Sequence, residues 1–432
     1  MSTTAAPTGR PRSAPERARP ATRWTKQIWV LMGGTFLIHA AGFAYPFMSY
    51  RLTEAHISTH TIGLILAVFG TGGLIGSIAS GWLADRFGRR NTLIATLLLA
   101  AAALPVLAQT DAASVLFIAA FTSGLVYDAS RPIFTAEITD TYPDDPERAA
   151  SVNAWRHFTV NVGAAATGSI GGLLAGAAGI PALIWANAAA CALFALLAWH
   201  VMEPDRPMAT AAPQAAPGTP YRAAATDTAL WLLLAASLAA LTCASGLFSA
   251  LPMLMERDGL SAADYGWAQA ANAAAVLILS PLLNGRLARR AARPTPMTGL
   301  FALSCLILGG SMGGAGLASS TLGYSATAAL AVPGEIAVVV AASDILARIS
   351  PPTARGLYAG LWGATLAGAS IIAPVLAAWA ISHGGGTLAG AAMLSVGVLG
   401  AAVCWPLTVT IRRSQQHTAH PSRPGDGLPS KQ

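Results

Sequence analysis

Residues 81–90 read GWLADRFGRR, flanked by two apolar runs, TIGLILAVFGTGGLIGSIAS at 61–80 and NTLIATLLLAAAALPVLAQ at 91–109. About 20 apolar residues are what a helix needs to cross the hydrocarbon core of a bilayer. The decapeptide is therefore a connector at a membrane surface. Its arginines, Arg86, Arg89 and Arg90, set the side, because short cytoplasmic loops retain Lys and Arg. Gly88 permits a tight turn, and Gly81 lets its helix approach a neighbour closely. Asp85 puts an anion where it can meet the positive N-terminus of another helix.

Working outward, the same pattern repeats along the chain. Twelve stretches are long and apolar enough to span, at about 28–49, 61–84, 91–109, 114–138, 150–175, 181–201, 228–252, 264–284, 297–315, 321–346, 355–379 and 386–411. Of the 432 residues, 54% are apolar and 10% charged, too few charges to cover a soluble surface. The net charge of +7 does not mark a nucleic-acid binder, since the basic residues lie between apolar runs rather than in one stretch. With the N-terminus inside, the cytoplasmic segments hold almost all the arginines, and the outer loops hold only Arg51 and Arg257. Both termini are thus expected in the cytoplasm, in a multi-pass protein of the inner (plasma) membrane.

The organisation follows from the connectors. Residues 1–27 read as a disordered basic tail and 28–202 as a six-helix bundle. Residues 203–227, rich in Pro and Ala, read as a cytoplasmic linker, 228–411 as a second six-helix bundle and 412–432 as a disordered tail. An internal repeat supports the division. GWLADRFGRR at 81–90 corresponds to GRLARRAARP at 285–294, and Asp140 corresponds to Asp344. Arg148 and Trp155 open the fifth span as Arg355 and Trp362 open the eleventh. The fold class is all-α integral membrane, twelve transmembrane helices in two six-helix pseudo-repeats. Such parallel repeats place a substrate site between them near mid-membrane.

Gly81, Leu83, Ala84, Asp85, Arg86, Gly88, Arg89 and Arg90 fit the G-x-L-a-D-R-x-G-R-[RK] signature in the loop where the major facilitator superfamily carries it. The chain resembles that superfamily, and the helix count, linker and repeat extend the resemblance over nearly its whole length. The resemblance implies that Asp85 meets the start of the eleventh helix near Arg355–Gly356. It implies that Arg89 pairs with an acid at the end of the fourth, Asp140 or Glu137. Such contacts latch the two halves in one state. The plain alternative is that the arginines only hold the loop inside. Arg289 stands where the first copy has Asp85, so the second latch is expected to be degenerate.

Ionisable residues within a span are costly and usually functional. Asp128 and Arg131 are three residues apart on one helix face, as a proton carrier with its partner or as a static ion pair. Glu335 lies mid-span beside Pro333 and Gly334 with no basic residue near it in sequence, a second proton-site candidate. His39, mid-way along the first span, is either a packing residue or a member of the proton path. Arg156 and His157 are expected to reach the membrane interface. Asn161, Gly163, Gly168, Gly171 and Gly172 on the fifth span allow tight packing. Gly163, Gly171 and Gly172 also resemble the superfamily's antiporter signature, although Thr167-Gly168 replaces its central Gly-Pro. Arg131-Pro132, followed by Asp140 and Arg148, resembles bacterial twelve-helix drug:proton antiporters.

In that superfamily the first, fourth, seventh and tenth helices line the cavity. This adds Phe43, Tyr127, Thr242, Ser245 and Phe248, with Asn272 and Trp362 from the eighth and eleventh. Aromatic side chains with a few charges suit an amphipathic molecule better than a sugar. The first reading is a proton-driven exporter of an amphipathic drug or metabolite. The alternatives are a proton-coupled importer of a small organic solute and a non-transporting membrane sensor. No cluster of catalytic residues and no phosphate-binding loop points to an enzyme or an ATP-driven pump. No cofactor or metal is expected. The expected partners are a small-molecule substrate, protons and the lipid bilayer, with no nucleic acid, and the expected state is a monomer.

Overall fold

The computed structural model describes residues 24–127, 130–142, 145–204, 219–291, 293, 295–351 and 354–419. Among these, all regular structure is helical. The first half comprises α1 (Lys26–Ala40), α2 (Ala44–Glu54), α3 (Thr59–Phe87), α4 (Arg89–Gln109), α5 (Ala113–Tyr127), α6 (Ser130–Thr141), α7 (Pro146–Ala178) and α8 (Ile180–Val201). A short helix, α9 (Thr219–Thr226), leads into the second half. That half is α10 (Thr228–Arg257), α11 (Ala262–Ala291), α12 (Thr298–Ala315), α13 (Thr321–Ile349) and α14 (Arg355–Ala419).

Eleven segments are long and apolar enough to cross a membrane, with α1 and α2 forming one and α5 continuing into α6 in another. The last segment is two helices, because Gly384 leaves helical geometry and Gly385 takes φ 66°. Twelve crossings result. Lys26 and the end of α14 then share one face, the terminal face; the opposite one is the far face. The helices begin where short polar side chains accept the first backbone N–H groups: Thr25, Ser58, Asp145, Asp227 and Ser320. Large apolar side chains such as Ile78, Leu322 and Trp405, exposed by 70%, 81% and 78%, form a surface that only lipid can cover.

Two expectations need correction. The first span is not continuous, for α1 ends at Ala40 and α2 starts at Ala44. Pro46 explains the break, since it lacks the N–H that would bond the Gly42 carbonyl. Part of the linker region is helical, and Ala224 of α9 packs with Leu230, Leu234, Ala354 and Tyr358 of the second half. The last helix also continues to Ala419, past the expected end at 411.

Arg51 is not in a loop. It lies within α2, only 5% exposed, with Nε donating to the Ala108 carbonyl at 2.8 Å and Nη2 to the Thr110 carbonyl at 2.9 Å. It also meets Asp111 at 2.8 Å, but that carboxylate is 71% exposed. The carbonyls at the end of α4 have no partners within their own helix, so the guanidinium is the cap. Arg51→Ala is expected to destabilise the first half by about 2 kcal/mol, through lost charged hydrogen bonds. Asp111→Asn should cost under about 0.5 kcal/mol, because exposed ion pairs contribute little. Heat unfolding in detergent separates the two.

The pseudo-repeat is visible in paired contacts on the terminal face. In the first half Arg89 at the start of α4 meets Glu137 of α6 at 3.7 Å, and Glu137 also accepts from Gln27 at 2.7 Å. In the second half Asp344 of α13 accepts the Met297 backbone N–H at the start of α12 at 3.1 Å. It is also bonded by Arg348 at 2.9 Å. In both halves the acid lies on the helix that faces the start of its neighbour; the group it meets there is the Arg89 guanidinium in one half and the Met297 backbone N–H in the other.

Candidate functional site

The two halves meet chiefly along two seams, α3 against α14 and α7 against α11, and also where α2 packs on α10. Glycines bring the backbones together. A methyl built on Gly172 would fall on the Cα of Gly266, and one on Gly63 would lie 2.8 Å from the Pro374 carbonyl oxygen. One on Gly70 would lie 2.9 Å from the Ser370 oxygen, and one on Gly168 would strike Gln269. All these contacts lie in the far-face half of the membrane. Toward the terminal face the glycines of α3 and α14 make no such approach. A methyl on Gly81, Gly356, Gly360 or Gly363 would meet nothing within 4 Å. Close backbone approach thus marks both seams on the far side, and the α3–α14 seam has none at its terminal-side glycines.

This places the latch motif. Asp85 is exposed and makes no hydrogen bond or ion pair among the described residues, so the contact expected with Arg355–Gly356 is absent in this conformation. The close approach expected at Gly81 is absent too, since a methyl there would meet nothing within 4 Å. The rest of the loop is ordered locally. Gly88 takes φ 91° and ψ 157°, a region essentially closed to side-chain-bearing residues. Arg86 lies over the Trp82 ring at 5.5 Å. Arg90 donates to the Trp199 carbonyl at 2.7 Å and lies over its ring at 4.8 Å. Arg156 does not reach out to the interface. It is 7% exposed, over the Phe134 ring at 5.9 Å.

The candidate proton and cavity residues separate into two groups. Glu335 stands at the middle of α13, half-buried, and its Oε1 accepts from Asn272 Nδ2 of α11 at 3.4 Å. The same amide donates to the Ala328 carbonyl at 3.0 Å, in the stretch that Pro333 loosens by removing a backbone donor. No basic group among the described residues reaches Glu335. Across the other half, His39 Nδ1 contacts the Thr35 carbonyl at 2.8 Å. Its ring lines a chamber of ≈ 30 Å³ with Thr96, Ser123, Tyr127, Ser130 and Asn187. That volume holds roughly one or two waters.

Helix α1 breaks beside this chamber. The His39 carbonyl accepts from the Thr167 hydroxyl, and the Ala44 N–H donates to Asn187 Oδ1 at 3.3 Å. Sequence reasoning missed Asn187 and Thr167. The signal was Pro46, which announces backbone groups in need of partners. Gly163 packs on His39, and Gly171 on Phe43 and Phe47. Phe43 is 4% exposed, its ring 6.4 Å from that of Phe47, and Tyr127 lies 5.4 Å from Phe69. Ser245 and Thr242 are buried and Phe248 half-buried in α10. Trp362 Nε1 donates to Ser237 Oγ at 3.1 Å. Asp128 and the side chains of Arg131, Asp140, Asn161 and His157 lie outside the described residues.

The model of the Major Facilitator Superfamily matches residues 30–342 and 247–430. No curated protein sequence matches the chain. Among solved structures, an auto-inhibited POT family peptide transporter is similar at 15% identity and a TM-score of 0.71, over 90% of this chain and 97% of that one. A peptide transporter POT in complex with sulfate is similar at 16% identity and a TM-score of 0.70, over 89% of this chain and 95% of that one. A POT family transporter in complex with 5-aminolevulinic acid is similar at 14% identity and a TM-score of 0.71, over 90% and 95%. Identities this low carry the fold and not the substrate.

Proposed function

Because the chain belongs to the major facilitator superfamily, we propose that it carries a small organic solute across the membrane by alternating access, driven by protons and in the direction of uptake. The protein is a transporter and not an enzyme. The carrying observation is Glu335, a mid-span carboxyl whose described neighbours offer one amide and no base. Ionisable groups at that depth mark ion and proton paths. The asymmetric seams support the cycle itself, with one face closed while the other is open. The arginine distribution supports a cytoplasmic terminal face, and on that reading this conformation opens inward.

Uptake takes precedence over the export favoured by the sequence because the similar solved structures are peptide transporters. Neither the drug-efflux branch nor multidrug resistance gains support from them. Export stays as the second reading for one reason, the antiporter-like Gly163, Gly171 and Gly172 on α7. Proteoliposomes with an imposed pH gradient decide between them. Labelled dipeptides, 5-aminolevulinic acid and lipophilic cations are tested in both gradient directions. Accumulation of a solute with the proton flow supports uptake, and accumulation against it supports export. Solute movement indifferent to the gradient would contradict proton coupling.

A further inference from the structure

Helix α2 carries three hydroxyls that no described protein group pairs with: Tyr45, Ser49 and Tyr50. Ser49 is 1% exposed and Tyr50 6%. Several serines in these helices turn back to a carbonyl of their own helix, as Ser249 does to Ser245 at 3.1 Å and Ser304 to Leu300 at 2.9 Å. Ser49 does not. The Tyr45 hydroxyl faces Ser249 of α10 without reaching hydrogen-bonding geometry. Buried polar groups are paired in nearly all native structures, so three orphans on one short helix call for a physical reason.

Their place in the fold supplies it. Helix α2 belongs to the first half and packs on α10 of the second, on the closed far side. The Tyr50 ring lies 6.2 Å from that of Tyr265 in α11, and the Phe47 ring 5.5 Å from it. Tyr265 donates to the Leu247 carbonyl at 3.2 Å and accepts from Gln269 at 2.6 Å. The second-half side of this contact is therefore satisfied, and the α2 side is not.

We infer that Tyr45, Ser49 and Tyr50, opposite Tyr265 and Gln269, form a ligand subsite at the far-face mouth that binds a solute offering hydrogen-bond donors and acceptors on an apolar frame. The inference rests on the transport reading above and adds the subsite to it. The hydroxyls serve the far-open state, where they meet the solute, and go without partners in the far-closed state seen here. Aromatic faces hold the apolar frame, and the hydroxyls fix its orientation.

The test uses the full chain carrying Tyr45→Phe, Ser49→Ala and Tyr50→Phe together. In detergent its heat-unfolding midpoint is expected to equal or exceed that of the wild type, since the removed hydroxyls pair with nothing in this conformation. A lowered midpoint would overturn the inference by showing that they are bonded. In proteoliposomes, labelled dialanine is offered to each face in turn. The far-face KM should rise about tenfold or more, the effect of one lost hydrogen bond, while the terminal-face KM stays unchanged. An unchanged far-face KM would overturn the subsite while leaving the transport reading intact. A wild-type protein that moves neither dialanine nor any other panel solute fails the transport reading instead, and the unfolding midpoints still judge the hydroxyls.

Discussion

Glu335→Gln should abolish proton-driven accumulation, by at least about a hundredfold in rate, while exchange of solute for solute continues. The substitution keeps the volume and a carbonyl that can still accept from Asn272 Nδ2, the 3.4 Å contact seen here. It removes only the proton that can leave. Coupled transport needs that release, since a group carrying a proton in one direction must return without it. Exchange needs no net proton movement and survives. Asn272→Ala is the milder companion, because it strips one donor from the carboxylate and leaves the carboxyl itself. It should change the pH dependence of uptake rather than end it. Gradient-driven uptake and counterflow, measured on the same vesicles, give both readouts. Wild-type accumulation by the Gln variant would sink the assignment of Glu335.

Gly172→Val should produce the second large effect. Here α7 and α11 touch backbone to backbone, and any Cβ on Gly172 would fall on Gly266. A bulky side chain must push the far face apart. Overpacking of this kind costs about 1–3 kcal/mol. As a bias between two states, that is about 5- to 150-fold in population. The variant should therefore insert and fold yet rest far-open, and its transport should fall at least about tenfold. Gly176 on the same helix is the control, since a methyl there lies 3.8 Å from Ala263 Cβ, ordinary contact. Gly176→Ala should transport as the wild type does. Equal activity of Gly172→Val and Gly176→Ala would show that this seam does not govern the cycle.

Much of this architecture was legible because a bilayer restricts what a chain can do. Spanning segments must be helical and apolar, so the runs around 81–90 exposed the topology at once. The repeat was readable for a related reason, since both halves place charges where helices end on the terminal face. The chemistry there was less readable: an acid meets the start of the neighbouring helix in both halves, through the Arg89 guanidinium in one and the Met297 backbone N–H in the other. Sequence spacing named Glu335 but could not name Asn272 as its neighbour, because that contact crosses from α11 to α13. The seams were half-visible. Gly168 and Gly172 marked α7 as a packing surface, yet nothing along the chain says that Gly266 is the partner or which face is closed. That is a property of one conformation, and a sequence encodes all of them. The same limit explains Asp85, whose expected contact belongs to a state in which the terminal face is shut.

Paired distances at the two faces test alternating access most directly. The four cysteines Cys191, Cys243, Cys305 and Cys404 are free and buried, and their replacement by alanine gives a clean background for spin labels. One label pair goes at Arg86 and Arg355 on the terminal face, both exposed. The other goes at His60 and Trp379, which line one groove across the α3–α14 seam on the far face. Pulsed distance measurements are then made in lipid across a range of pH, with and without transported solute. Alternating access predicts two populations at each face that change reciprocally, the far pair lengthening as the terminal pair shortens. A single distance at each face, unmoved by pH and by solute, would contradict it.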